Sequence, residues 1–219
     1  MPETPEIIIE RSWRRSISLH IESDGTLMVR APHLVPDRDI QRFILSHSDW
    51  IEKHRSRITK ARSIKKTDEY LFLGKVLQFT VGNYTSVSVK ENKLLFPQAL
   101  LFRREKEITS WYLTQARQII TKQTEKFAEE MGADFKEITF SDTKSQWGRC
   151  TRDNRLQFSW RLVMAPILVL NYVVIHELAH TTEKNHSRAF WAKVRQFTPS
   201  YRQQLKWLKE NGSTLKHVV

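Results

Sequence analysis

The fold of this chain is decided by residues 173–180, which read VVIHELAH. On a helix, the imidazoles of His176 and His180 lie one above the other, because residues four apart share a face, so both can bind one metal ion. Glu177 points to an adjoining sector, where its carboxylate can reach a water molecule on that ion as a general base. Three apolar residues precede the motif, and buried histidines are costly without a partner. The stretch therefore predicts a metal-binding helix; two hydrogen-bonded core histidines beside an ion-paired glutamate are the alternative.

A third ligand is expected from His186, ten positions after His176. This requires the helix to end shortly after His180, with a turn inside 181–185. Glu183 is the competing third ligand, but on a continuing helix it lies about 10 Å along the axis from His176. Three protein ligands leave a fourth position open for water, which is the arrangement of catalytic zinc sites. We therefore predict one zinc ion held by three histidines.

The second half of the chain supplies the elements around this motif. A long amphipathic helix is predicted from about Leu101 to Met131, because apolar residues recur at helical spacing and Gly132 suits a left-handed helix end. Pro166 fits the first turn of the metal-binding helix, and Ser187 is a suitable cap for the helix that follows. Three short strands are predicted at 138–140, 145–149 and 155–158, the last two joined as a hairpin through Asp153-Asn154.

The first hundred residues are predicted to be rich in β-strands. In order, the expected elements are a hairpin turning at Asp24-Gly25, a helix from Asp37 to about Arg57, and three strands between Tyr70 and Phe96. Near residue 100 the apolar period changes from two to that of a helix. We therefore expect a β-rich amino-terminal region over 1–100 and a catalytic domain over 101–219.

Charge favours acidic or polyanionic partners. The chain has 36 basic and 24 acidic side chains and a net charge of +12, which attracts phosphates and acidic peptides. The densest run, from Lys53 to Lys66, has seven basic residues and no acidic one. We interpret it as a solvated helix face and linker in preference to a phosphate-binding patch.

Composition excludes other classes of protein. With 40% hydrophobic and 27% charged residues, the chain is not disordered. Its one cysteine, Cys150, cannot close an intramolecular disulfide, and we assign it no role in the site. There is no apolar run of about 18 residues and no signal-like opening segment, so we expect a cytoplasmic protein without a membrane partner. No oligomeric state is predicted.

Several motifs of the second half together resemble one known family. They are SQWGRC at 145–150, WRL at 160–162, AP at 165–166, HELAH at 176–180, NHS at 185–187 and FW at 190–191. In this combination they resemble the YgjP-like metal-dependent hydrolases, which are zincin-type metallopeptidase domains related to the SprT-like and WLM proteases. Gln146, Arg149 and Ser159 depart from the residues common in that family, which affects expected substrate contacts and not the metal site.

The resemblance implies an α+β fold in which a zincin-like domain has a small antiparallel sheet packed on the metal-binding helix. It also implies that His176, His180 and His186 are metal ligands and that Glu177 is the catalytic carboxylate. Trp147 and Gly148 are expected on a strand that borders the substrate cleft.

The leading hypothesis is a zinc-dependent metallopeptidase acting on a peptide or protein, with Glu177 activating a metal-bound water. A metal-dependent nucleotide or phosphate-ester hydrolase is the first alternative, favoured by basic residues expected near the cleft: Lys144, Arg149, Arg152, Arg155 and Arg161. A nucleic-acid-associated protease acting on DNA-bound proteins is the second, by analogy alone. Manganese, iron or nickel could replace zinc. Candidates for stabilising the developing charge are Tyr172, Tyr201, Arg149 and Arg188.

Overall fold

A computed structural model describes residues 7–22, 25–56, 68–144 and 146–215. The chain divides into two compact units, Met1–Ser63 and Ile64–Val219. Both contain helices and strands, so the expected α+β class is confirmed. The unit boundary near residue 63 differs from the domain boundary expected at residue 100. Within the described ranges, none of the helices combines the length and the apolar character needed to cross a bilayer.

The first unit contains a three-stranded sheet of β1 (Ile7–Ser12), β2 (Ser18–Ile21) and β3 (Leu27–Pro32), in the order β1-β3-β2. Strands β2 and β3 are antiparallel, with Leu19 opposite Val29, so the predicted hairpin is confirmed. Gly25 in its turn has a φ of +93°, which glycine adopts without strain; Asp24 lies outside the described residues. Strand β1, which runs parallel to β3, was not predicted.

Two helices cover one face of this sheet. Helix α1 (Asp37–Ser46) begins after Pro36, and α2 occupies 48–56. The single helix expected here is interrupted at His47, whose N–H donates to the carbonyl of Ile44 at 3.1 Å. The basic run 53–66 is described only as far as residue 56. The core of the unit consists of Leu27, Val29, Ala31, Ile40 and Ile51.

The second unit begins with a four-stranded sheet. Its strands are β4 (Glu69–Phe72), β5 (Lys75–Gly82), β6 (Ser88–Lys90) and β7 (Lys93–Pro97), in the order β4-β5-β7-β6. Three strands were expected in this region. The structure has four, separated by turns at the three places where the sequence has turn signals, Gly74, Gly82-Asn83 and Glu91-Asn92. Leu73 and Gly74 have φ values of +48° and +78° and form the turn of the β4–β5 hairpin.

A 3-10 helix (Gln98–Arg103) leads into the long helix α3 (Arg104–Met131). Gly132 ends α3 in the left-handed region with a φ of +58°, so both the helix and its glycine end are confirmed. One face of α3 is buried, including Ile108, Tyr112 and Ile120, which are fully covered. This face forms one side of the core of the second unit.

A second three-stranded sheet lies beside the helix that carries His176 and His180. It consists of β8 (Glu137–Ser141), β9 (Gly148–Cys150) and β10 (Arg155–Ser159), in the order β8-β10-β9. Strands β9 and β10 form the expected hairpin, with Asn154 at a φ of +63° in the turn. Strand β10 lies between β8 and β9 in the sheet, and its pairing with β8 is parallel. The sheet is therefore mixed, and the antiparallel arrangement holds for β9 and β10 alone.

The remaining elements are helical. After a 3-10 helix (Trp160–Met164) come α4 (Ile167–Ala179), α5 (Arg188–Phe197) and α6 (Tyr201–Leu215). Helix α4 is apolar on most sides and buried along most of its length, as expected of a helix inside a core. Pro166 directly precedes its first residue as the cap position, and Ser187 caps α5 through its hydroxyl, which accepts the N–H of Phe190 at 3.2 Å.

The four-stranded sheet and helix α4 share one core, which explains why the unit boundary lies before β4. Tyr70, Leu77, Leu94 and Phe96 of the sheet belong to the same buried cluster as the apolar residues of α4. The Leu73-Gly74 turn is also hydrogen-bonded to the 3-10 helix ahead of α4, with donor–acceptor distances of 2.9 and 3.0 Å to the carbonyls of 163 and 164.

Candidate metal centre

Three histidines meet where α4 ends. His176 lies in the last turn of α4, His180 follows its final residue, and His186 lies in the loop before α5. The helix stops because the chain turns at Thr181 and Thr182, whose N–H groups donate to carbonyls three positions back. This turn returns the chain toward α4, as the ten-residue spacing between the first and third histidine required.

The three rings have the spacing of a metal site. The Nε2 atom of His186 lies 3.1 Å from Nε2 of His176 and 3.2 Å from Nε2 of His180. Nitrogen ligands about 2.0–2.1 Å from a tetrahedral zinc ion are separated by about 3.3 Å. In the described parts of the chain, these histidines form the one group of three potential ligand residues whose atoms converge, all within 4.8 Å of one another.

The backbone determines which nitrogen of His180 faces the other rings. Its Nδ1 lies 2.8 Å from the carbonyl oxygen of Glu183. A carbonyl only accepts, so Nδ1 carries the proton and Nε2 presents a lone pair to the cluster. Glu183 therefore contributes its carbonyl, and its carboxylate is not part of the converging group. By contrast, Nδ1 of His176 is buried without a hydrogen-bond partner among the described residues.

Burial favours the neutral form of His176 and His180. It lowers the pKa of His176 to about 3, with a further contribution from the two neighbouring histidines. Burial also lowers the pKa of His180. Neutral imidazole is the form that binds a metal. Nitrogen lone pairs that face one another repel, and a cation placed between the three rings satisfies them.

The carboxylate of Glu177 is held against strand β9. Glu177 is only 6% exposed, and the backbone N–H of Cys150 donates to its carboxylate. Burial raises its pKa to about 8, and the Cys150 hydrogen bond acts in the opposite direction. Gly148 lies beside the same side chain, since a Cβ atom there would be 2.6 Å from Cγ of Glu177. The strand therefore fixes this carboxylate next to the histidines.

The whole arrangement agrees with a comparison of the chain with known families. The family model described as YgjP-like, metallopeptidase domain, matches residues 15–211, which include most of both units. The chain belongs to the YgjP-like family. No curated protein and no solved structure matches it. The family description supports a metal-dependent hydrolase in general terms and implies a divalent metal, and three converging imidazoles fit such an ion.

The two YgjP-like residues expected to border the cleft have different surroundings. Gly148 lies directly against the Glu177 carboxylate. Trp147 is half-buried and packs toward α6, where a Cβ atom at Gly212 would lie 3.0 Å from its Cζ2 atom. The carbonyl of Trp147 accepts the N–H of Ser159 at 2.9 Å. Trp147 thus connects β9 to α6 as well as to β10.

An aromatic wall, which we define as Tyr172, Trp191 and Tyr201, lies beside the histidines of this YgjP-like protein. The ring of Trp191 stacks on His186 at a centroid distance of 5.7 Å, and Tyr201 stacks on Trp191 at 5.1 Å. Tyr172 lies 5.8 Å from His176 and 6.4 Å from Tyr201. Phe190 is fully buried, and its ring centroid lies within 4.9 Å of all three histidine rings. The sequence signal for the wall was the aromatic pair just after His186.

Tyr172 remains a hydrogen-bond donor at neutral pH. Burial raises its pKa to about 12, with a further contribution from the negative charge of Glu177. Its position one turn before His176 keeps it on the metal side of α4. Arg149 and Arg188, the basic candidates for stabilising charge, are both exposed.

The cations expected near the YgjP-like cleft are not equivalent. Arg155 pairs with Glu137 and with Asp153. Arg161 is 3% exposed, and its Nε donates to Asp142 at 2.7 Å. The other three are exposed and form no ion pair with a described residue: Lys144, Arg149 and Arg152. Two of the five charges are therefore already balanced within the fold.

Proposed function

We propose that this chain is a zinc-dependent metallopeptidase that cleaves peptide bonds, with one zinc ion held by His176, His180 and His186 and with Glu177 as general base. The observation that carries the proposal is the convergence of three imidazole nitrogens, with Nε2 of His186 at 3.1 and 3.2 Å from the other two, beside a buried carboxylate. Burying polar groups is costly without a partner, and together these groups form the donor set of a catalytic zinc site with an open position.

The metal, when bound, supplies a Lewis acid that lowers the pKa of a coordinated water and polarises a carbonyl. The protein supplies the proton transfer. A carboxylate oxygen of Glu177 accepts the proton of the attacking water and returns it to the leaving amine. Burial moves the Glu177 pKa toward neutrality, the range in which one group can both accept and release a proton. The Cys150 N–H orients the carboxylate, and Gly148 leaves space for it.

The described residues favour peptide hydrolysis over phosphate-ester hydrolysis. Phosphoryl transfer is commonly assisted by two metal ions, and the described chain brings together one group of three ligand residues. Two of the five cations that favoured phosphate are paired with carboxylates. Imidazole ligands suit zinc and also iron or nickel, so the choice of zinc is itself part of the proposal. We also propose a cytoplasmic location.

The test replaces Glu177 by glutamine. We expect Glu177→Gln to lower the rate of peptide cleavage at least 10²–10⁴-fold, while the protein retains one zinc ion per chain by elemental analysis. Glu125→Gln is the matched control, because Glu125 is exposed on α3 and lies outside the histidine group, and it should leave both readouts unchanged. A parallel screen for phosphate release from nucleotides runs on the same samples. Peptide cleavage by Glu177→Gln at the parent rate, or faster turnover of nucleotides than of peptides, would exclude the proposal.

A further inference from the structure

The aromatic wall ends in a positively charged point. The Nε atom of Arg202 lies 3.4 Å from the hydroxyl of Tyr201, and Arg195 is near enough to act on that hydroxyl electrostatically. Arg202, through its hydrogen bond, and then Arg195 lower the pKa of Tyr201, which reports a positive potential at this point. Both guanidinium groups are exposed.

These two arginines have no acidic partner among the described residues. Neither forms an ion pair with a residue in the ranges that the structure describes. Residues 181–215 contain seven lysines and arginines and two glutamates, so the segment that forms α5 and α6 is basic as a whole. Guanidinium groups bind carboxylates through paired N–H donors. A pair of unpaired guanidinium groups around one hydroxyl therefore suits a carboxylate.

We propose that Arg195, Arg202 and the Tyr201 hydroxyl form a carboxylate subsite that selects peptides with an acidic residue near the cleaved bond. The proposal rests on the peptidase function proposed above, whose substrate class it narrows. The subsite binds an Asp or Glu side chain, or the carboxyl terminus of a peptide, while the scissile carbonyl lies at the three histidines.

The distances suit a peptide of two or three residues between the two points. The steps from His186 to Trp191 and from Trp191 to Tyr201 are 5.7 and 5.1 Å, so the Tyr201 ring is at most about 11 Å from the His186 ring. An extended peptide advances about 3.4 Å per residue. The carboxylate that reaches the subsite therefore belongs to a residue two or three positions from the bond at the histidines.

The same surface is poorly suited to nucleic acid. Single-stranded nucleic acid binds through bases stacked on open aromatic faces. The Trp191 ring stacks with the rings of both His186 and Tyr201. Tyr172 and Tyr201 are only 3% and 8% exposed. Because the ring faces contact one another, the surface offers charge without a stacking platform. The observations therefore favour a carboxylate over a base.

The test measures binding rather than turnover. The protein is the zinc-loaded Glu177→Gln variant. The probes are two octapeptides with acetylated and amidated ends. They differ only at the residues two and three positions from the central bond, which are glutamate in one peptide and glutamine in the other. Calorimetry gives Kd for each. The test variant carries Arg195→Gln and Arg202→Gln together. The matched control removes the same charge through Arg117→Gln and Lys122→Gln, at exposed positions of α3.

We expect the glutamate peptide to bind about tenfold more tightly than the glutamine peptide. The preference should fall below twofold in the Arg195/Arg202 variant and persist in the control, and 0.5 M salt should weaken it, because exposed charges are screened. Equal affinity for the two peptides, failure of both to bind, or a preference that survives in the Arg195/Arg202 variant overturns the proposal. So does displacement of the glutamate peptide by a dT10 oligonucleotide that binds more tightly.

Failure of this subsite and failure of the peptidase function give different results. The binding preference is read from a variant that does not need to turn over, so it does not depend on cleavage. Peptide cleavage by the parent protein, with equal rates for the two octapeptides, removes the subsite and leaves the peptidase function standing. A binding preference for the glutamate peptide, without cleavage of either peptide by the parent protein, removes the peptidase function and leaves the carboxylate subsite standing.

Discussion

Replacing Gly148 by alanine should disable Glu177, the proposed general base, without removing the three histidines proposed to hold the metal. The added Cβ atom would lie 2.6 Å from Cγ and 2.7 Å from Oε1 of Glu177, whereas ordinary contacts begin at 3.4 Å. The side chain of Glu177 must therefore move by about 0.8 Å. The backbone itself accepts alanine, because Gly148 is not among the residues with positive φ. The contact with Glu177 is thus the main effect of the change.

The size of the effect follows from that displacement. A misplacement of about 1 Å at a reacting group costs about 10²-fold in rate, which corresponds to about 2.7 kcal/mol in the activation barrier. We expect Gly148→Ala to lower kcat for a peptide substrate about 100-fold and to retain zinc at one ion per chain. The assay combines initial rates on one fluorogenic peptide with elemental analysis of the same sample.

The matched control is Gly132→Ala, at the end of α3. A Cβ atom there has no neighbour within 4 Å, but the residue has a φ of +58°, so alanine should cost about 1 kcal/mol of folding free energy through backbone strain and leave kcat unchanged. Full activity of Gly148→Ala would refute the close packing of β9 on Glu177. Loss of zinc from Gly148→Ala would show that the strand supports the ligands and not the carboxylate alone.

Two further predictions concern stability. In metal-free protein, His176 has a folded-state pKa of about 3, against an ordinary value of 6.5. As the pH falls, the unfolded chain therefore takes up this proton before the folded protein does. The free energy of unfolding should be highest above pH 6.5 and should fall by about 3 kcal/mol between pH 6.5 and 4. Urea midpoints across this range test it, and a flat profile, or an equal slope in His176→Gln, would contradict it. Ser187→Ala removes the hydroxyl that accepts the Phe190 N–H and should cost about 1 kcal/mol in urea unfolding, whereas Ser187→Asn should restore most of it; indistinguishable midpoints for alanine and asparagine would argue against the cap.

The features that could be predicted from sequence depend on neighbours along the chain. The spacing of His176 and His180 predicted a helix with both rings on one face, and α4 carries them so. Gly132 and Ser187 marked a helix end and a helix start because each acts on backbone groups within three or four residues. The place of His186 followed from the same local reasoning, since a turn was needed between it and α4.

The features that sequence reasoning missed depend on residues far apart. The isoleucine run at the start of β1 has no alternation, so its parallel pairing with β3 left no periodic signal. The parallel pairing of β8 with β10 likewise depends on how the chain crosses between them. Nothing near Gly148 in sequence indicates that Glu177, 29 positions later, occupies the space beside it. Arg195 of α5 and Arg202 of α6 both lie near the Tyr201 hydroxyl only because these two helices fold next to each other.

The shared core of the four-stranded sheet and α4 determines how far the protein can be shortened. A fragment that starts at residue 101 loses four large buried side chains, Tyr70, Leu77, Leu94 and Phe96. At about 1.5–3 kcal/mol for each, their burial contributes an amount comparable to the whole stability of an ordinary domain, about 5–15 kcal/mol. Expression trials for a minimal histidine-bearing fragment should therefore start upstream of Glu69, where the first strand of that sheet begins.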